Sequence, residues 1–274
     1  MKSRRTLLQI APAAALALLL AATFAPAARA GLYFEQTVTS QGAGEGMEMQ
    51  VRGWADGEQA RVEYTESNNP ILSPGSYLLT TDGGETVLLV DPEEKTYSTW
   101  DFSAAFRTLG QLEEMTGGMM KIDFQDPVSE TLLTEPGEEI LGYPTTHHRW
   151  KSGFTLQMKM GFVDRSQRQE TITDAWVTDA VDDPGLFAWL RAMPPTTGDP
   201  ELDEHLASEM RQLGGNIVLR MVQETTTTNK KGRERTSTTS FEVTTFREEP
   251  VDAERFAMPE GYTETPLVPE GGGR

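Results

Sequence analysis

The chain has 274 residues, carries 42 acidic against 24 basic side chains and contains no cysteine. That composition excludes disulfides and thiolate chemistry, and it argues against nucleic-acid or anionic-membrane binding, which needs clustered positive charge. Stability must come from a packed core, which a chain of this length can bury.

Residues 1–30 read as a cleaved export signal. Lys2, Arg4 and Arg5 form a basic start, an apolar run extends from Leu7 to Phe24, and Ala28-Arg29-Ala30 has the small-residue form that signal peptidase accepts. Ser3-Arg4-Arg5-Thr6-Leu7-Leu8 also resembles a twin-arginine signal, so the general secretory and twin-arginine routes are both open. Cleavage before Gly31 removes four basic residues and leaves 20 basic against 42 acidic side chains, a formal charge of −22. The expected location is the periplasm or another extracytoplasmic space, with no integral membrane segment after cleavage. One domain is predicted over residues 31–263, followed by a flexible tail over 264–274 rich in Pro and Gly.

The mature sequence opens with strand signals. Leu32 to Val38 is rich in aromatic and β-branched residues, and Met47 to Trp54 alternates apolar with polar residues at period two. Gly42 to Gly46 turns the chain between them, and Asp56-Gly57 leads into a third strand, Gln59 to Tyr64. Ser76 to Thr81 and Thr86 to Val90 flank Asp82-Gly83-Gly84, and Lys95 to Trp100 follows the turn at Asp91-Pro92. An antiparallel meander of about six strands is the expectation.

The period then changes. Phe102, Phe106, Leu109, Leu112 and Met115 recur at three- and four-residue spacing between Asp101 and Gly117-Gly118, the pattern of an amphipathic helix with its cap and stop. Strand signals resume at Ile122 to Phe124, Val128 to Leu133, His147 to Trp150, Phe154 to Phe162 and Thr171 to Val177. Helical patterns cover 185–191 and 200–213, and a long hairpin joins Ile217 to Thr226 with Thr236 to Phe246 around a basic tip at Lys230 to Arg235. The fold class read from this order is α+β, mainly antiparallel β: a curved sheet or incomplete barrel covered by helices.

Catalytic signals are sparse. His147 and His148 are adjacent on a predicted strand and point to opposite faces, so they do not jointly hold one metal, and His205 sits on a helix without a partner at ligand spacing. There is no G-x-S-x-G elbow and no Walker lysine after Gly83-Gly84. Paired acids such as Asp182-Asp183 and Glu248-Glu249 are too common in so acidic a chain to mark a catalytic dyad. No metal, cofactor or catalytic residue is expected. The supply of large flexible side chains, Met47, Met49, Met115, Met119, Met120, Met158, Met160 and Met210 among them, suits either a loosely curved core or a pocket that adapts to acyl chains.

Taken together, Leu32-Tyr33-Phe34-Glu35-Gln36, Gly53-Trp54 with Ala60 to Tyr64, Glu139 to His148, Ala175-Trp176-Val177-Thr178 and the closing Phe256 to Tyr262 resemble the exported bacterial proteins carrying the domain DUF4412. The resemblance implies the plan of the lipoprotein carrier LolA and receptor LolB, a half-barrel closed by helices over a hydrophobic cavity. By that analogy Met49, Trp54 and Trp100 line the cavity, and Phe102, Phe106, Leu109 and Met115 belong to its lid. The function so implied is non-catalytic binding or carriage of a lipid, an acyl chain or an envelope lipoprotein. The alternatives are a ligand-free structural or interaction domain of the envelope and, third, a carboxylate-dependent hydrolase.

Overall fold

A computed structural model describes residues 31–42, 46–69, 71–100, 120–161, 163–181, 200–213 and 216–267. The leader, the predicted helices at 102–115 and 185–191 and the end of the tail lie outside the described residues. The rest forms one sheet of twelve strands: β1 (Gly31–Gln41), β2 (Met47–Asp56), β3 (Gln59–Ser67), β4 (Tyr77–Thr80), β5 (Leu88–Asp91), β6 (Thr96–Thr99), β7 (Met120–Pro136), β8 (Thr146–Met160), β9 (Val163–Thr178), β10 (Ile217–Asn229), β11 (Glu234–Glu249) and β12 (Thr263–Glu264). Helix α1 spans Pro200–Gln212.

The spatial order is β12-β6-β5-β4-β3-β2-β1-β11-β10-β9-β8-β7. All pairings are antiparallel except that of β12 with β6. The order joins two meanders, β1 to β6 and β7 to β11, through the pairing of β1 with β11. Among the described residues the end strands β12 and β7 do not pair with each other, so the sheet is an incomplete barrel. Register shifts at Glu35/Gln36, Gln50/Val51 and Val218/Arg220 add the extra residues that bend and twist antiparallel strands.

Two predicted breaks are absent. His147 to Trp150 and Phe154 to Met160 belong to one strand, β8, which runs through Ser152-Gly153; Phe162 lies outside the described residues. Gly153 makes no turn there; a Cβ at this position would lie 2.6 Å from the Gln169 carbonyl oxygen of β9, so glycine lets the neighbouring backbone close in. Likewise 122–124 and 128–133 are one edge strand, β7, interrupted by Asp126 at φ 54° and by register shifts at Gln125/Val128 and Thr131/Leu133. Past Glu264, the Thr265 amide donates to the Tyr97 carbonyl at 2.8 Å, and Leu267 packs on the main core.

Because side chains alternate along a strand, each residue can be assigned to a face from the register. Leu32 and Phe34 of β1 share a first face with Val51 and Ala55 of β2, Ala60 and Tyr64 of β3, Leu78 of β4 and Leu89 of β5, all in the main core cluster. Tyr33 points to the second face, opposite Trp54 in register and with the two rings 5.5 Å apart. Tyr77, Leu79 and Val90 join them there, and Phe256 of a short 3-10 turn covers this second cluster. The chain's end is held over it by cations on aromatic faces: the Arg255 guanidinium lies 3.9 Å from the Trp54 ring and that of Arg61 3.7 Å from Tyr77. Arg61 also donates to the Arg255 carbonyl at 3.1 Å.

Candidate functional site

Among the described residues, ion pairs between strands are confined to the second face. Arg52 and Arg61 both pair with Glu63, at 2.7 and 2.6 Å. Glu35 accepts hydrogen bonds from the Tyr33 and Thr245 hydroxyls, which hold its carboxyl below the usual carboxylate range. Farther along, Glu135, His147, Trp176, Arg220 and Glu242 are successive cross-strand partners from β7 to β11. Arg220 sits over Trp176 at 5.5 Å and is paired with Glu138 and Glu242. Lys151 meets Glu170 at 2.9 Å on the same face.

The nearest approach to an acid/base arrangement is His147, whose Nε2 lies 2.8 Å from Asp174 Oδ1 and whose Nδ1 lies 3.8 Å from Glu135 Oε1. Both ring nitrogens thus face carboxylates, so neither is presented to a hydroxyl nucleophile. Among the described residues no group of three His, Asp or Glu side chains is placed to hold a metal ion. Glu248 and Glu249 are consecutive on β11 and point apart.

The first face is apolar. The core of Phe34, Val51, Tyr64, Leu78 and Phe246 continues through Val38, Phe241, Met221 and Ala175 to Trp150, a row and its neighbour fixed by the pairing of β1, β11, β10, β9 and β8. Burial pushes the Tyr64 phenol up to about 12, so it stays neutral. His148 stands on this face across from Ala175, and burial, with His147 beside it, lowers its imidazole below the ordinary value of 6.5. Helix α1 covers the β7–β8 end: His205 meets Phe154 edge to face at 6.1 Å, and the Thr131 hydroxyl donates to Gln212 at 3.0 Å.

Toward the β10–β11 hairpin the first face changes character. The next row is Trp150, Thr173, Gln223, Thr239 and Ser40, and the one beyond it holds Ser152, Thr171 and Thr225. Their side chains bond to one another: Gln223 Nε2 to Thr173 Oγ1 at 3.4 Å, Ser40 to Thr239 at 3.0 Å and Thr171 to Thr225 at 3.0 Å. The Thr-rich sequence of the hairpin therefore supplies an uncharged hydroxyl rim to an apolar floor.

The structure separates the residues proposed as lining. Met49 and Trp100 pack against the first-face core, whereas Trp54 is buried in the second-face cluster beneath Arg255. Strand parity carries the reason, since Met49 and Trp54 are an odd number of residues apart on β2. Phe102, Phe106, Leu109 and Met115 lie outside the described residues. The hydroxyl row contains no catalytic motif; its sequence signal is the alternation of Thr173, Thr225 and Thr239 with outward residues on neighbouring strands.

No family model matches the chain, and no curated protein does. Among solved structures, similarity is found to a LolA superfamily protein from Nitrosomonas europaea, at 7% identity and TM-score 0.31, covering 84% of this chain and 91% of that one. A DUF1329 family protein from Desulfovibrio piger is similar at 9% identity and TM-score 0.35, covering 89% of this chain and 95% of that one. Among the described residues no helix is long and apolar enough to cross a membrane.

Proposed function

We propose that this protein works outside the cytoplasm as a non-catalytic binder of an apolar ligand, an acyl chain or the acyl part of an envelope lipoprotein, taken up on the first face of the open sheet. The observation that carries this reading is the segregation of the two faces: the ion pairs between strands lie on one, and the other is apolar from Leu78 to Trp150. A ligand without charge gains from desolvation on such a face and meets no buried ion there. The leader sequence supports the location, and the DUF4412-like motifs support the kind of domain. Met49 and Trp100 are the proposed lining, with the segment carrying Phe102, Phe106, Leu109 and Met115 as the proposed cover.

The test is native mass spectrometry of the mature protein purified from its own envelope, followed by organic extraction and lipid identification. A stoichiometric lipid or acylated peptide is expected. A bare protein, in a preparation that retains lipid on a known carrier, would overturn the reading in favour of an interaction domain of the envelope.

A further inference from the structure

The apolar face carries a buried polar donor of note, Trp150. Its side chain is buried, 3% exposed, among Ala175, Val177 and Val218, and its indole Nε1 has no hydrogen-bond partner among the described residues. A buried N–H donor left unpaired forfeits its hydration without a replacement bond, so the site is a place where an acceptor would be bound with gain. Trp150 begins the row that continues through Thr173, Gln223, Thr239 and Ser40. Their hydroxyls and amide both donate and accept.

The surroundings set the charge of the acceptor. The residues of this row are uncharged, as are their first-face neighbours His148, with its lowered pKa, Ala175, Met221, Phe241 and Val38 on one side and Ser152, Thr171 and Thr225 on the other. An anionic carboxylate or phosphate brought here would lose its hydration with no cation to replace it, which is costly. An ester carbonyl loses little hydration and accepts one or two hydrogen bonds.

Resting on the carrier reading above, we propose that Trp150 is the head-group anchor of the site: its indole N–H donates to the carbonyl of a neutral acyl ester, with the Thr173-to-Ser40 row around it and the acyl chain along the apolar floor. The ligand class is a neutral glyceryl ester, free or attached to a protein, rather than a free fatty acid.

The test compares wild-type mature protein with Trp150→Phe, which keeps a ring and removes the donor. The probes are a pyrene-labelled diacylglycerol and a pyrene-labelled alkane without an acceptor. The expected result is a three- to tenfold weaker affinity of the variant for the diacylglycerol, the worth of about one neutral hydrogen bond, with alkane affinity unchanged. In 15N-tryptophan spectra, the indole N–H signal that the variant lacks should shift on addition of diacylglycerol. The unliganded variant loses the packing of the larger ring but no hydrogen bond, so only a modest drop in melting temperature is expected. Equal affinity of both proteins for the diacylglycerol would overturn the anchor and leave the carrier reading standing. Tighter binding of pyrene-labelled fatty acid than of diacylglycerol would overturn the ligand class. Failure of wild type to bind either the diacylglycerol or the alkane would overturn the carrier reading, and the anchor with it.

Discussion

His147 stacks flat on Trp176, with ring centroids 4.5 Å apart and planes within 5°, while Asp174 holds its Nε2. The two residues are cross-strand partners on β8 and β9, so sheet register alone brings the rings together. By register the stack lies with the ion pairs of the second face, while the Trp176 ring also packs against the main core. His147→Ala should therefore cost about 1–2 kcal/mol in denaturant unfolding, from lost stacking and the orphaned Asp174 contact, and leave diacylglycerol affinity unchanged.

The neighbouring His148 makes a pH prediction. Its lowered pKa means that the unfolded chain binds a proton more readily than the folded one, so stability rises with pH through the window just below 6.5 and is lost as pH falls through it. Melting temperature should drop between about pH 7 and pH 5.5 in wild type and drop less in His148→Gln. Glu35 acts in a separate window: its lowered pKa contributes stability that is lost only as pH falls through and below its ordinary value of 4.5.

Gly53 has no room for a side chain, because a Cβ there would overlap the Phe34 ring across β1 and β2. Gly53→Ala should destabilise by about 1–3 kcal/mol, the usual cost of overpacking. Adding Phe34→Leu should cost less in the Gly53→Ala background than in wild type. Strict additivity of the two changes in a double-mutant cycle would show that the ring moves aside freely.

Met49 and Trp54 offer a face-by-face test of ligand uptake. Met49→Asp places a charge beside the apolar floor and should reduce binding of the alkane probe at least roughly tenfold, given the cost of a desolvated carboxylate. Trp54→Phe lies beneath Arg255 on the other face and should lower stability by about 1–2 kcal/mol with binding intact. Equal loss of binding in both variants would place the ligand elsewhere.

The first six strands were legible because Asp56-Gly57, Asp82-Gly83-Gly84 and Asp91-Pro92 announce their turns and because β1 to β3 alternate cleanly. The hairpin of β10 and β11 and helix α1 were legible for the same reasons. The continuity of β8 was not, since Gly153 reads as a turn until the closeness of the Gln169 carbonyl gives it another purpose. The length of β9 was also hidden, because most of its first half, Asp164 to Glu170, is polar at every position and shows no period. The two faces could have been told apart from parity alone, which already separates Met49 from Trp54. The Trp150 anchor needed the register of five strands, which no local pattern contains.

The broken edge strand β7 bears on how this chain meets its own copies. A foreign strand can add to a sheet only along an unbroken run of free amides and carbonyls. In β7, Asp126 turns into a left-handed conformation, Pro127 has no amide to give, and the register slips again between Thr131 and Leu133. What is left are short stretches out of step with one another, a poor template for growth. An incomplete barrel offers such an edge for polymerisation; the breaks in β7 oppose growth along it.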